Sequence, residues 1–159
     1  MKQIHYIVVL VIRPQGVRYE LLLARRSEGR YMGGTWQLIS GGLEPDEIAW
    51  QAALRELREE TGLTPVEFYR LSTLTSFYRP DNDSINTAPM FCAMVEEASA
   101  AAINAEHSQF EWVDVDLAES RLMWPGDRQA LAEVRSAILG NGLAKRFMRV
   151  PLEADDNFI

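Results

Sequence analysis

The chain has 159 residues, 47% hydrophobic and 25% charged, with a formal net charge of −7. That length suits a single domain with a core large enough to stand without disulfides, and the lone cysteine, Cys92, excludes an internal one. The acidic balance argues against extended contact with a DNA or RNA backbone, but not against a small phosphorylated substrate whose charge a divalent cation masks.

The elements follow in chain order. The apolar run over residues 6–12 is too short to span a membrane, and no small-residue cleavage site follows it. It reads as part of a buried strand, "HYIVVLVIR" (5–13). With no signal or spanning segment, the cytoplasm is the expected location. "RPQG" gives a turn, and "YELLLARR" (19–26) the returning strand. "SEGRYMGG" (27–34) is a loop with three glycines, and "TWQLIS" (35–40) a short extended piece running into Gly41-Gly42.

The period then changes. Residues 46–61 hold no Pro or Gly and are rich in strong helix formers. Pro45 precedes them, Gly62 follows, and Asp46 is the expected N-cap. Three strands come next, "EFYRLSTLTSFYR" (67–79), "APMFCAMVEE" (88–97) and "FEWVDV" (110–115), with a turn at "PDNDS" (80–84). "ASAAAINAEHS" (98–108) is an irregular connection, and "GDRQALAEVRSAILG" (126–140) a second amphipathic helix. The order predicts an α/β fold, a mixed sheet with helices packed on it. Residues 1–159 are expected to form one domain, its tail after about residue 141 loosely held.

"ALRELREETG" (53–62) carries four Glu and two Arg. At 100° per residue, with Glu56 at zero, Glu60 lies near +40° and Glu59 near −60°. Leu57, Trp50 and Leu54 fall between roughly 100° and 160°, the expected core stripe. Ala49, Ala52 and Ala53 share or border the acidic sector and leave room beside the carboxylates. The acidic neighbours 56/59 and 56/60 each cost about 0.2–0.5 kcal/mol unless a cation lies between them, and Arg55 stands i,i+4 from Glu59. A surface salt-bridge face and a hard-cation site, Mg²⁺ first and Mn²⁺ second, both fit these facts.

Spacing shifts the balance between them. "GGLEPDEIAWQAALRELREETGL" (41–63) resembles the Nudix box, G-x5-E-x7-R-E-U-x-E-E-x-G-U with U aliphatic. Gly41, Glu47, Arg55, Glu56, Leu57, Glu59, Glu60, Gly62 and Leu63 all match. With each of the fixed letters at about 7% frequency, a chance match is on the order of one in ten million. The chain is similar to the Nudix hydrolases. More loosely, "LLLARRSEGRYMGGTWQLISGGLE", "NTAPMFC" (86–92), "EHSQFEWVD" (106–114) and "DRQAL" (127–131) resemble the dihydroneopterin triphosphate and dATP pyrophosphohydrolase subgroup.

The resemblance implies an α/β/α sandwich around a central mixed β-sheet. It also implies hydrolysis of a nucleoside diphosphate linked to a further group, with Mg²⁺ or Mn²⁺. Carried onto this chain, Glu56, Glu59 and Glu60 become metal ligands, joined by the Ser40 carbonyl. Arg55 orients a glutamate, Glu59 first, and Glu47 supports Arg55 and the loop. Gly41 and Gly42 form the tight loop before the helix. Glu59 or Glu60 is a candidate general base. Glu106 is the candidate carboxylate from outside the helix, with an exposed loop acid as the other reading.

The remaining substrate contacts have two readings each. Arg25 and Arg26 bind phosphate or form surface ion pairs. Trp36 stacks on a base or pterin ring, or packs in the core, the favoured role. Tyr78 and Arg79 are expected to line the pocket. Cys92 reads as a buried core thiol, and His5 and His107 as structural.

The leading expectation is a Mg²⁺-dependent pyrophosphohydrolase. It would cleave a dATP-like nucleoside triphosphate or a pterin triphosphate to monophosphate and pyrophosphate. The alternatives are a hydrolase of a dinucleoside polyphosphate or ADP-sugar, or a module that binds a nucleotide without cleaving it. The last would lack a box acid, and none is missing. A small phosphorylated molecule is the expected partner in each case, with no nucleic-acid polymer and no membrane.

Overall fold

The structure, a computed structural model, describes residues 4–102 and 107–152. Its centre is β1 (Tyr6–Gln15), six consecutive residues of which, 7–12, are buried. Successive side chains of a strand point to opposite faces, so this run feeds two cores. Ile7, Val9 and Val11 join one cluster; Val8, Leu10 and Ile12 join the other.

On one edge β1 pairs in parallel with β6 (Ser84–Met94), Val8 opposite Met90 and Ile12 opposite Met94. Beyond it, β5 (Glu67–Arg79) runs antiparallel to β6. The other edge of β1 is shared. Its first half pairs with β4 (Ile39–Gly42), Tyr6 opposite Gly42, and its second half with β2 (Arg18–Arg26). β2 also holds β3 (Trp36–Gln37) and β7 (His107–Asp114). The sheet is thus mixed, as expected.

Helix α1 (Ala49–Thr61) covers one face through Ala52, Ala53 and Leu57. Helix α2 (Pro125–Glu133), continued by a π turn at Val134–Leu139, covers the other through Ala130, Leu131, Val134 and Ile138. The result is an α/β/α sandwich. Among the described residues no helix is long and apolar enough to cross a membrane.

Several boundaries differ from expectation. Helix α1 begins at Ala49, and Asp46 is not its N-cap: Asp46 has a positive φ of 64°, and Ile48 takes the cap position without a side-chain bond. Residues 44–47 instead close a turn, the Glu47 amide donating to the Glu44 carbonyl at 3.1 Å. Gly62 ends the helix as expected, left-handed with φ 74°. β6 starts at Ser84 and stops at Met94, and "TWQLIS" divides between β3 and β4. The chain beyond Asn141 packs as far as Val150: Met148 and Val150 are buried, and the Val150 amide donates to the Phe68 carbonyl at 2.7 Å.

The rotation of α1 also differs. Ala52, Ala53 and Leu57 are fully buried, whereas Trp50 and Leu54 are only partly so. The alanines bring the helix close to the sheet; they do not hold space beside the carboxylates. The core-facing direction is therefore turned toward Glu60, which is itself buried at 5% exposure.

Candidate active site

The antiparallel pairing of β4 with the start of β1 places Ser40 and Gly41 beside α1. A Cβ on Gly41 would overlap the carboxyl group of Glu56. Only glycine leaves that acid its place, which gives the first box residue a steric reason.

Arg55 is the hub of the acidic segment. Its Nε donates to Glu47 Oε2 at 2.8 Å and its Nη2 to Glu47 Oε1 at 2.9 Å, a two-point ion pair. Its Nη1 donates to Glu56 Oε1 at 2.9 Å and to Glu59 Oε2 at 3.1 Å, and its Nη2 also reaches the Gly42 carbonyl at 2.9 Å. Glu47 in turn accepts the Glu44 amide at 3.0 Å. These bonds, that to Glu47 foremost, hold the Arg55 pKa above its ordinary range. Arg55 therefore braces Glu56 as well as Glu59, and Glu47 serves the brace and the loop.

A cleft of about 560 Å³ opens beside this network. Ser40, Gly41, Gly42, Glu56 and Glu60 form its acidic wall, and Tyr6, Arg26, Arg30 and Tyr31 the rest of its lining. Arg26, one of the two arginines read as a phosphate contact or a surface ion pair, is among the lining residues. Tyr6, Arg30 and Tyr31 carried no signal in the sequence, because only the folded chain brings the 27–34 loop and the first residue of β1 over the box.

Other expected residues lie elsewhere. Glu59 is not in the lining and is turned to Arg55, its side chain 58% exposed. Arg25 serves the loop, donating to the Gly34 carbonyl at 3.3 Å and Glu28 at 3.4 Å. Trp36 is half-buried against the α2-side core, with the Arg121 guanidinium 5.4 Å above its ring. Tyr78 is exposed and donates to Asp83 at 2.8 Å, and Arg79 pairs with Asp81. Cys92 is fully buried, and burial pushes its thiol pKa up, as suits a core residue. His107 is buried, its ring 5.7 Å from that of Phe110. Glu106 lies outside the described residues.

Whether a divalent cation fits depends on the donors. The wall offers carboxylate and carbonyl oxygen from Glu56, Glu60, Ser40 and Gly41, a set suited to a hard cation. The Gly41 cradle keeps the Glu56 carboxylate against the loop. Among the described residues no three acidic, His or Cys side chains converge closely enough to hold a metal by themselves. The residues present fit a cation that also draws on main-chain oxygen.

Acids and arginines line one cleft of an α/β/α sandwich, a chemistry suited to a phosphorylated small molecule with a cation. The NUDIX domain profile matches residues 1–134, and the chain belongs to the Nudix family. Dihydroneopterin triphosphate diphosphatase of Escherichia coli K12 is 28% identical over 139 residues, 79% of this chain and 89% of that protein. An octanoyltransferase of Myxococcus xanthus is 35% identical over 127 residues, 77% of this chain; the chain spans only 34% of that protein's length. The Ap4A hydrolase of C. elegans, in a binary complex, shares the fold with a TM-score of 0.71 at 19% identity, covering 86% of this chain and 98% of that one. As a Nudix hydrolase the protein acts on phosphoanhydride bonds, and members of the family generally use divalent metal ions.

Proposed function

We propose that the protein is a Mg²⁺-dependent pyrophosphohydrolase of a nucleoside or pterin triphosphate, releasing a monophosphate and pyrophosphate in the cytoplasm. The observation that carries this reading is the Arg55 brace on Glu56, an acid that lines the same cleft as Arg26 and Arg30. The 28% identity with a dihydroneopterin triphosphate diphosphatase supports the choice of substrate.

Glu56 and Glu60, with the main-chain oxygen of Ser40 or Gly41, would hold the cation. When bound, it polarises phosphoryl oxygens and lowers the pKa of a coordinated water. Mn²⁺ would serve the same oxygen donors. Arg26 and Arg30 give the phosphate chain its countercharge. Arg55 fixes the direction of the Glu56 carboxylate through Glu47 and the loop, so the acid need not reorganise during reaction. Glu60, buried, acts where charge is weakly screened, and is the candidate base together with Glu59 and, from outside the helix, Glu106.

The test is a panel of nucleoside triphosphates, dihydroneopterin triphosphate, a dinucleoside polyphosphate and ADP-ribose with Mg²⁺, scored for pyrophosphate against orthophosphate. Pyrophosphate from a triphosphate is the expected product. Cleavage confined to the dinucleotide and ADP-ribose would replace the reading.

A further inference from the structure

The end of the described chain is segregated in charge. Residues 134–152 hold Arg135, Lys145, Arg146 and Arg149 and no acid, in a chain with 23 acids against 16 Lys and Arg. Arg135 is committed to Asp116 at 2.7 Å. The other three lie in or beside a short helix, α3 (Lys145–Met148). Met148 packs into the α2-side core and Val150 into the α1-side core, so this segment wraps the outer edge of β5, where Arg149 bridges Tyr69.

A fourth cation joins them from β5. Arg70 Nη2 donates to the Phe147 carbonyl at 3.2 Å. The Arg146 guanidinium stands 4.5 Å from the centre of the Phe147 ring. The Lys145 ammonium lies 5.9 Å from the Tyr69 ring and donates to Asn141 Oδ1 at 2.8 Å. Among the described residues none of Arg70, Lys145, Arg146 and Arg149 forms an ion pair. Glu67, the one acid of β5, accepts the Tyr69 hydroxyl at 2.5 Å. Leu143, fully exposed, and Phe147, 53% exposed, put apolar surface among the cations. None of these residues lines the cleft, so the patch is a separate surface.

We propose that this edge of β5 docks a short acidic segment of a partner protein, with an aromatic or aliphatic side chain among its acids. Arg70, Arg146 and Arg149 offer planar forks that match carboxylates, and Lys145 a point charge. Leu143 and Phe147 receive the apolar side chain. Charge complementarity names this occupant. Four cations held together without acids repel one another, and an acidic ligand relieves that repulsion. Apart from these four, the chain is more acidic still. That remainder repels an extended nucleic-acid backbone and the anionic face of a membrane, whereas a segment of a few residues stays within the patch. A second copy docked isologously would set the cations against themselves.

The test is fluorescence anisotropy of a dye-labelled peptide, Asp-Glu-Asp-Phe-Asp-Glu-Asp, titrated with the full chain at about 20 mM salt, where surface charge is weakly screened. Binding is expected, and replacing the peptide's Phe with Ala should weaken it ~10-fold. The double variant Arg146→Glu, Arg149→Glu should weaken it by ~10-fold or more with an unchanged unfolding temperature. Arg18→Glu, a charge reversal at an exposed residue paired with Asp114, should leave it unchanged. No binding of the peptide, equal binding of the Phe and Ala peptides, or equal weakening by Arg18→Glu would overturn the proposal. So would tighter binding of an oligothymidylate of equal charge or of phosphatidylserine vesicles under the same conditions. The peptide comparison uses the wild-type protein alone, so it decides even where the double variant fails to fold.

Discussion

Arg55 and Glu47 are joined at two points, 2.8 and 2.9 Å apart, across the turn that leads into α1. The pair fastens the loop to the helix, and the remaining guanidinium nitrogen carries Glu56 and Glu59. Lysine cannot reproduce a planar fork with donors in fixed directions. Arg55→Lys is expected to lower kcat about 10- to 100-fold, the scale of losing a group that orients a metal ligand. Glu47→Gln is expected to do the same more mildly, since one acceptor oxygen remains. Steady-state kinetics with Mg²⁺ titrated to saturation checks both, and unchanged kcat in Arg55→Lys would remove the brace from the mechanism.

Gly41 tests the same site from the loop side. A methyl group at this position would occupy the space of the Glu56 carboxyl group, the flexible end of a side chain that can swing away. Gly41→Ala is therefore expected to drive Glu56 out of its place and cut activity by ~10²-fold. Gly42→Ala, whose Cβ would meet only the His5 carbonyl at 3.7 Å, is the control and should retain most activity.

The box was legible in the sequence because helical periodicity and fixed spacing place its acids and Arg55 without knowledge of the rest of the fold. The rotation of α1 was not. Large apolar residues pointed the helix toward Leu54 and Trp50, yet small alanines pack it more deeply on the sheet. Asp46 misled for a related reason: it has the chemistry of a cap, but the turn needed to bring Glu47 to Arg55 places it at positive φ. The far wall of the cleft was hidden altogether. Tyr6 and Arg30 are distant in sequence from each other and from the box, and only the folded sheet, with β1 paired to β4, assembles them.

Glu60 is the acid on which the metal assignment turns, since it lines the cleft and is nearly sealed from solvent. Glu60→Gln is expected to cut kcat by at least ~10²-fold while leaving the fold intact. Mn²⁺ titration followed by electron paramagnetic resonance should show weaker binding in the variant. Near-normal turnover together with unchanged Mn²⁺ affinity would exclude Glu60 as a ligand.

Asp127 makes a prediction about stability that needs no substrate. Burial raises its pKa from 3.8 to about 6, with the Arg128 charge opposing the shift. The folded state therefore holds this proton more tightly than the unfolded chain does. Between the two pKa values the folded protein binds more protons, so this group's contribution falls as pH rises from about 4 to about 6, then stays low. Two pKa units correspond to roughly 2–3 kcal/mol. Tyr6 and Arg128, the titratable groups whose charge Asp127 feels or acts on, do not change charge in that window. Asp127→Asn has no proton to lose there. Its unfolding free energy, set against that of the wild-type protein, should gain about 2 kcal/mol between pH 4 and pH 8. Urea unfolding at the two pH values measures the difference, and other carboxylates cancel from it because both proteins carry them. A difference that does not change with pH would mean that Asp127 is charged in the folded protein throughout, with a partner that the buried site does not otherwise supply.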